Sequence, residues 1–144
     1  MPFVDDIGFL LSRASGQLVR SVNAALAEEG LRVRQYSVLC LSCESAEGRS
    51  QRDLAEVLGL DPSQVVAFVD DLHRAGLVER RPSPADRRTK LVAPTGPGRA
   101  VAERATARVN ARVAEQLGVL TGGEQDVLRA LLARIVSLPV AANS

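Results

Sequence analysis

The sequence predicts a mainly α-helical fold with one small β-hairpin. Hydrophobic residues make up 46% of the chain but aromatic residues only 3%, and there is no tryptophan. The core must therefore be built from Leu, Val and Ala, a composition that favours helices over an aromatic-rich sandwich. Apolar residues recur at steps of three and four, except where residues 77–94 place β-compatible runs around a polar turn. A length of 144 residues predicts a single domain, residues 1–144, with a core that needs no disulfide or metal.

Two helices are predicted before residue 45, each from one apolar stripe. The first stripe consists of Ile7, Leu11, Ala14, Leu18, Val22 and Leu26. Gly30 is the expected end of that helix. The second stripe consists of Tyr36, Leu39, Cys40 and Cys43. The segment "SAEGRS", which begins at Ser45, interrupts it.

Two short helices separated by a tight turn are predicted next. Ser50 and Asp53 have the spacing at which side chains satisfy the free N–H groups of a first helical turn. That helix is expected to end near Gly59. Asp61 then supplies an N-cap for the next helix, with Pro62 at its first position.

The residues around this turn are typical of a helix-turn-helix. Ala55 is small enough for helix contact, Gly59 tolerates a positive φ in the turn, and Val65 is an apolar anchor. Ser63 and Gln64 begin the second helix and are left to point outward, at the end that enters a major groove in such motifs. An ordinary helical hairpin is the alternative for this segment taken alone.

The next segment favours the helix-turn-helix interpretation. The runs "LVERR" and "RRTKLVAP" bracket a Pro-Ser-Pro-Ala-Asp tip, which predicts a β-hairpin directly after the two helices, that is, a wing. From Arg74 to Lys90 there are six basic residues and two acidic ones, although the net charge of the chain is only +1. We therefore expect the wing to contact the phosphates and minor groove of double-stranded DNA.

Two further helices are predicted after the wing. The first carries Val101, Ala105, Val109, Val113 and Leu117 at steps of four. The second is capped by Thr121 and Glu124 and carries Val127, Leu128, Leu131 and Ile135. Because one small domain has no obvious use for three such stripes, we expect a homodimer. Residues 33–94 are then the DNA-binding part, and residues 1–30 and 98–140 the dimerisation part.

Nothing in the sequence predicts an enzyme or a cofactor. There is no paired-carboxylate or nucleophile–base pattern and no glycine-rich phosphate loop. No secretion signal or membrane-length apolar run is present, so we expect a cytoplasmic protein without a membrane partner.

Three side chains allow a second interpretation. Cys40 and Cys43 lie on an apolar stripe, which favours packing, and thiol sensing is the alternative. A zinc site would need a second Cys or His pair, which the chain lacks. His73 is expected at the surface of a helix end, with a pH sensor or a metal ligand as the alternative.

The chain resembles the MarR family of winged-helix transcription regulators along nearly its whole length. The resemblance is carried by "LRVRQYSVL", "QRDLAEVLGLDPSQVVAFVDDLHRAGLVERRPSPADRRTKLV", "PTGPGR" and "LTGGEQDVLRALLARI". It implies a dimeric regulator, expected to be a ligand-responsive repressor of a pseudo-palindromic operator. In that family Asp86 and Arg88 would brace the wing, and Arg87 at its tip would enter the minor groove.

From the residue patterns and the resemblance together we predict two sets of site residues. The DNA-binding set is Gln51, Arg52, Ser63, Gln64, Ala67, Arg80, Asp86, Arg87, Arg88 and Lys90. The effector pocket, placed by the resemblance between the dimer helices and the winged helix, would be lined by Arg13, Gln17, Arg20 and Tyr36.

The predicted recognition helix departs from the family pattern. Ala67 and Asp71 stand where members often have basic residues, which leaves fewer charged base contacts and shifts sequence reading toward Ser63, Gln64 and the wing. Together with Asp70 they suggest the alternative function, a winged-helix protein-interaction module with little DNA affinity. Salt-dependent retention on DNA distinguishes the two functions.

Overall fold

The computed structural model describes residues 1–137 and contains six α-helices and three strands within that range. The predicted dimerisation part, 98–140, ends beyond the described residues at positions 138–140. The helices are α1 (Ile7–Leu26), α2 (Val33–Cys43), α3 (Gln51–Leu58), α4 (Pro62–Arg74), α5 (Gly96–Leu117) and α6 (Gly122–Val136). The strands are β1 (Arg49–Ser50), β2 (Val78–Pro82) and β3 (Lys90–Pro94). The mainly helical winged-helix prediction is confirmed.

The helix ends follow the predicted capping residues. Ser50 Oγ accepts a hydrogen bond from the Asp53 N–H at 3.0 Å, which caps α3. Gly59 ends α3 with φ +64°, the left-handed conformation that favours glycine in this turn. Before α6, Thr121 Oγ1 accepts from the Glu124 N–H at 3.2 Å, and Glu124 Oε1 accepts from the Thr121 N–H at 2.9 Å.

The sheet contains one strand that the sequence did not predict. β1 pairs with β3, which in turn pairs with β2, and all pairs are antiparallel. Two residues are too few to show a period of two, so β1 left no hydrophobic pattern. Gly48 directly precedes β1 and lies against β3, where its φ is +89° and a Cβ atom would lie 2.2 Å from the Val92 carbonyl oxygen. Only glycine allows this approach.

One hydrophobic core joins the winged helix to parts of α1 and α5. Its completely buried members include Val38, Leu39, Leu54, Val65, Val69 and Val92. Val22 and Leu26 of α1 and Ala102 and Ala105 of α5 pack against the same core. The expectation that all three terminal stripes lack a partner within the chain was therefore wrong for the second half of α1 and the first half of α5.

Other apolar residues of the terminal helices, mainly on α6 and at the start of α1, are exposed. α6 contains no buried residue, and its exposed residues include Val127, Leu131 and Ile135. At the other end, Phe3 and Ile7 are 73% and 78% exposed.

Candidate nucleic-acid interface

The start of α4 and the wing form one exposed polar surface. Val65, Val69 and Leu72 are buried against the core and fix which face of α4 points inward. Ser63, Gln64 and Ala67 lie on the exposed side of the same helix, as predicted. The predicted cations Arg52, Arg87, Arg88 and Lys90 are exposed as well. The helix can therefore present its first turns to a groove while the wing carries positive charge beside it.

Gln64 has a structural role that limits how it can read a base. Its Oε1 accepts a hydrogen bond from the Asp61 N–H at 3.2 Å, which satisfies one free N–H at the start of α4. The side-chain carbonyl is therefore engaged, and the NH₂ group remains to donate to an acceptor on a base edge.

Two predicted DNA contacts, Gln51 and Arg80, bind each other. Arg80 Nε and Nη2 donate to Gln51 Oε1 at 3.1 and 3.0 Å, and Nη2 also donates to Asp70 Oδ1 at 2.6 Å. The Arg80 side chain is 28% exposed, consistent with an arginine that lies against the protein.

Asp86 holds the wing tip by accepting hydrogen bonds from two backbone N–H groups. Asp86 Oδ1 accepts from the Arg88 N–H at 3.0 Å, and the Thr89 N–H donates to the Asp86 carbonyl at 2.9 Å. The Ser83 N–H donates to the Thr89 carbonyl at 2.8 Å and closes the loop. Within residues 1–137 no ion pair joins the Asp86 and Arg88 side chains, which was the expected brace, and Arg88 is exposed. Arg88 therefore contacts Asp86 through its backbone N–H, not through its guanidinium.

The acidic residues of α4 have cationic partners. Asp70 pairs with Arg80, and Asp71 pairs with Arg74. Asp71 Oδ2 also accepts from Gln35 Nε2 at 3.1 Å, a contact that joins α2 to the recognition helix. The sequence did not predict the Asp70–Arg80 and Asp71–Gln35 contacts because their members lie on separate elements. Arg74 follows Asp71 by three residues, a helical ion-pair spacing that could have revealed that pair.

Arg49 and Arg81 also have acidic neighbours. Arg49 pairs with Glu44 at 2.7 Å and with Asp53 at 2.9 Å, which takes up the guanidinium at the start of α3. Arg81 pairs with Glu79 across one intervening residue of β2. The free positive charge of the surface is therefore concentrated at Arg52, Arg87, Arg88 and Lys90.

The four residues predicted to line an effector pocket do not come together in one chain. Arg13 and Arg20 line a cleft of about 220 Å³ on α1, together with Phe9, Ser12 and Gly16. Gln17 is exposed on the same helix. Tyr36 lies elsewhere, where its hydroxyl donates to Thr106 Oγ1 of α5 at 3.1 Å.

Two other clefts lie closer to the winged helix. One, of about 300 Å³, is lined by Val19, Asn23, Arg32, Val33, Arg34, Gln35 and Phe68. It lies where α1, α2 and α4 meet, and Phe68 belongs to the recognition helix. The other, of about 480 Å³, is lined by Cys40, Cys43, Arg99, Ala102, Glu103 and Thr106.

The two cysteines are half-buried and free. Both pack against the core from the surface of α2, so the packing prediction holds only in part. Burial raises the pKa of the Cys43 thiol, which keeps it protonated and weakly nucleophilic at neutral pH. Cys40 Sγ lies 3.7 Å from Thr106 Oγ1.

His73 is exposed, and its Nδ1 lies 3.2 Å from the Val78 carbonyl oxygen of β2. Residues 1–137 contain no group of three or more His, Cys, Asp or Glu side chains placed to hold a metal ion. No helix within this range is both long enough and apolar enough to cross a membrane.

A helix-turn-helix with an exposed start of α4 and a positively charged wing defines a winged-helix protein of the DNA-binding class. The MarR family model matches residues 29–89. The HTH-type transcriptional repressor Rv2887 of Mycobacterium tuberculosis is 32% identical over 139 residues, which is 95% of this chain and 99% of that protein. The chain belongs to the MarR family.

Two solved structures extend the similarity to the whole fold. CouR from Rhodococcus jostii RHA1, bound to p-coumaroyl-CoA, is 45% identical with a TM-score of 0.92, and the match covers 99% of both chains. A transcriptional repressor CouR bound to a 23-mer DNA duplex is 32% identical with a TM-score of 0.82, over 92% of this chain and 93% of that one.

Proposed function

We propose that this chain is a dimeric transcriptional repressor that binds a pseudo-palindromic operator and releases it when a small molecule binds. The observation that carries the proposal is the exposed first turn of α4 beside a wing with three unpaired cations, Arg87, Arg88 and Lys90, within residues 1–137. Residues 33–94 would contact DNA, and the protein would act in the cytoplasm, where its operator is found. No catalytic role is proposed.

The dimer would form through residues 1–30 and 98–140. Exposed apolar side chains on α6 and before α1 support this, because patches of this kind on a small protein mark interaction surfaces. A two-fold dimer would bury the patch on both copies at once and would hold two recognition helices about one DNA turn apart.

The alternative function, a protein-interaction module, loses its main support. Asp70 and Asp71 suggested a recognition helix that repels DNA, but both carboxylates are paired with arginines. Ala67 remains exposed and uncharged. Sequence reading by α4 would therefore depend on its first turn, with Ser63 and the NH₂ group of Gln64 as donors.

We propose that the effector is an aromatic acid or its CoA thioester, the class to which the p-coumaroyl-CoA bound by the Rhodococcus CouR belongs. The cleft at the junction of α1, α2 and α4 is large enough for the aromatic acid or the acyl part of the thioester, with the CoA part left outside it. Its volume of about 300 Å³ is within the range of small-molecule sites, and it combines the apolar Val19, Val33 and Phe68 with two arginines. Since Phe68 belongs to α4, an occupant would press on the recognition helix directly.

The test uses the intact protein and genomic DNA fragments. We expect retention of a small set of fragments, with log affinity falling linearly as log salt rises. p-Coumaroyl-CoA or free p-coumarate, with free CoA as the matched control, is then added to the complex. Release by the thioester or the acid, but not by CoA, supports the proposal. Release by none of the three compounds refutes the effector class, and absence of any retained fragment refutes the DNA-binding function.

A further inference from the structure

We propose that Arg80 is a positioning residue, which fixes the wing relative to the recognition helix and does not itself neutralise a DNA phosphate. The inference rests on the proposed DNA-binding function. It assigns Gln51 and Asp70 to the same structural unit, and it removes Arg80 and Gln51 from the predicted DNA contacts.

The guanidinium of Arg80 joins three elements of the DNA-binding part. Arg80 belongs to β2, Gln51 is the first residue of α3, and Asp70 lies in the second half of α4. Nε and Nη2 share the Gln51 carbonyl oxygen at 3.1 and 3.0 Å, while Nη2 reaches the Asp70 carboxylate at 2.6 Å. A planar guanidinium can serve two acceptors at fixed angles, whereas an ammonium group on a flexible stem does not fix their relative positions.

The position of Arg80 along β2 explains why such a contact is needed. The turn between α4 and β2 is closed by the Leu77 N–H, which donates to the Leu72 carbonyl at 2.9 Å. One residue further, the Val78 carbonyl oxygen lies 3.2 Å from His73 Nδ1. Arg80 continues this line of contacts two residues closer to the wing tip. Without it, β2 would be tied to α4 near the turn alone, and the tip could rock relative to the first turn of the helix.

The burial of Arg80 and the charge of Asp70 agree with this role. The Arg80 side chain is 28% exposed, compared with 50% for Arg81, the next residue on the strand. The negative charge of Asp70 lies on the DNA-binding helix and would repel phosphates if it were unpaired. Paired with Arg80, it holds the wing, and its removal should weaken DNA binding instead of strengthening it.

The experiment compares Arg80→Lys, Arg80→Gln and Asp70→Ala with the unaltered protein on an operator fragment and on unrelated duplex DNA, over a range of salt. We expect each variant to bind the operator about 10- to 100-fold more weakly, the usual effect of losing a charge-assisted pair. We also expect a smaller loss on unrelated DNA and an unchanged slope of log affinity against log salt, because no phosphate contact is lost.

Opposite results would overturn the inference. If Arg80 contacts a phosphate, Arg80→Lys retains most of the affinity, and Arg80→Gln lowers the slope by about 0.9 per wing and weakens both DNAs equally. Tighter binding by Asp70→Ala would show that Asp70 acts as a repulsive charge. Arg81→Gln is the matched control, since it removes one positive charge from the neighbouring position of the same strand and leaves the Arg80 contacts in place.

A charge exchange separates positioning from failure to fold. The double variant Arg80→Asp with Asp70→Arg restores an ion pair across the same elements, and we expect it to bind the operator at least about fivefold more tightly than either single change. No recovery in a double variant that unfolds at the temperature of the unaltered protein would refute the inference. If the unaltered protein itself binds neither DNA, the proposed function fails, whereas failure of the inference alone leaves that binding intact.

Discussion

Leu39 and Val65, in the winged helix, are completely buried, whereas Val127 and Ile135, on α6, are 59% and 65% exposed. Both regions show the same kind of helical apolar stripe in the sequence. In the first region the stripe is covered by other elements of the same chain, and in the second it is not. The comparison shows that periodicity identifies an apolar face but does not identify the surface that covers it.

The winged helix and α6 also differ in what stabilises them. The winged helix, with the second half of α1 and the first half of α5, has a core of its own. α6 has no buried residue, so its stability as a helix must come from capping and from a partner. We expect the cover to be the same region of a second copy, and the following predictions test that expectation.

The largest expected effect comes from charges placed on α6. We predict that Leu131→Glu with Ile135→Glu converts the dimer to a monomer, raising the dissociation constant at least about a thousandfold, because two apolar contacts per copy are replaced by buried like charges. Sedimentation at micromolar concentration measures the change. Operator affinity should fall with it.

Arg129→Glu provides the control for this experiment. Arg129 lies on the same helix, and its side chain is 60% exposed, so a charge reversal there alters the helix without entering the apolar patch. A stable folded monomer in the unaltered protein would contradict the dimer and leave the exposed apolar residues unexplained.

The converse change affects the core of the single chain. We predict that Leu39→Ala, which removes a completely buried side chain of α2, lowers the free energy of unfolding by about 2–5 kcal/mol. The dissociation constant should change little, since Leu39 lies within the winged helix. Denaturant unfolding and sedimentation on the same samples separate the two effects. A large change in dimerisation would show that the two regions are not independent.

The sequence was informative where a single element determines the outcome. Capping of α3 by Ser50, the turn at Gly59 and the buried positions Val65 and Val69 all follow from local spacing, and the structure confirms them. Contacts between elements could not be predicted in this way. The sequence predicts Arg80 as a DNA contact because its partners, Asp70 and Gln51, are 10 and 29 residues away and leave no local pattern.

The same limit applies to the effector residues. Arg13 and Arg20 share one helix and one cleft, but Tyr36 turns toward Thr106 on α5. The cleft that reaches α4 depends on the angle between three helices, which is set by packing and leaves no local pattern.

Intermediate effects are expected at the DNA surface, where dimerisation doubles each contact. We predict that Arg87→Ala flattens the slope of log affinity against log salt by roughly two units for the dimer, about 0.9 for each wing. In the Leu131→Glu, Ile135→Glu monomer, the same change should remove about one unit. An equal loss in both backgrounds would show that only one wing of the dimer contacts DNA.

We predict that Gln64→Ala leaves the slope of log affinity against log salt unchanged. It should weaken operator binding by about 1–3 kcal/mol and relax discrimination at one base pair in each half-site. Because Gln64 also caps α4, stability should fall by about 0.5–2 kcal/mol. Gln64→Glu is the matched control, since a carboxylate can keep the bond to the Asp61 N–H but cannot donate to a base. Retained discrimination in Gln64→Glu would exclude base reading by the NH₂ group.

The smallest losses of affinity are expected from changes at Asp86, whose side chain and carbonyl hold the wing tip within one chain. Asp86→Ala removes the acceptor for the Arg88 N–H, so the tip should loosen and DNA binding weaken by about three- to tenfold, although a negative charge near DNA is lost. Arg88→Ala keeps that bond and should instead lower the salt slope by about 0.9 per wing, as expected for a phosphate contact. Affinity titrations across a salt series measure both variants. Asp86→Asn, which keeps an acceptor oxygen without the charge, should bind at least as tightly as the unaltered protein. Tighter binding by Asp86→Ala as well would mean that the bond from the Arg88 N–H to Asp86 Oδ1 does not order the tip, and the wing would then act on DNA through its charge alone.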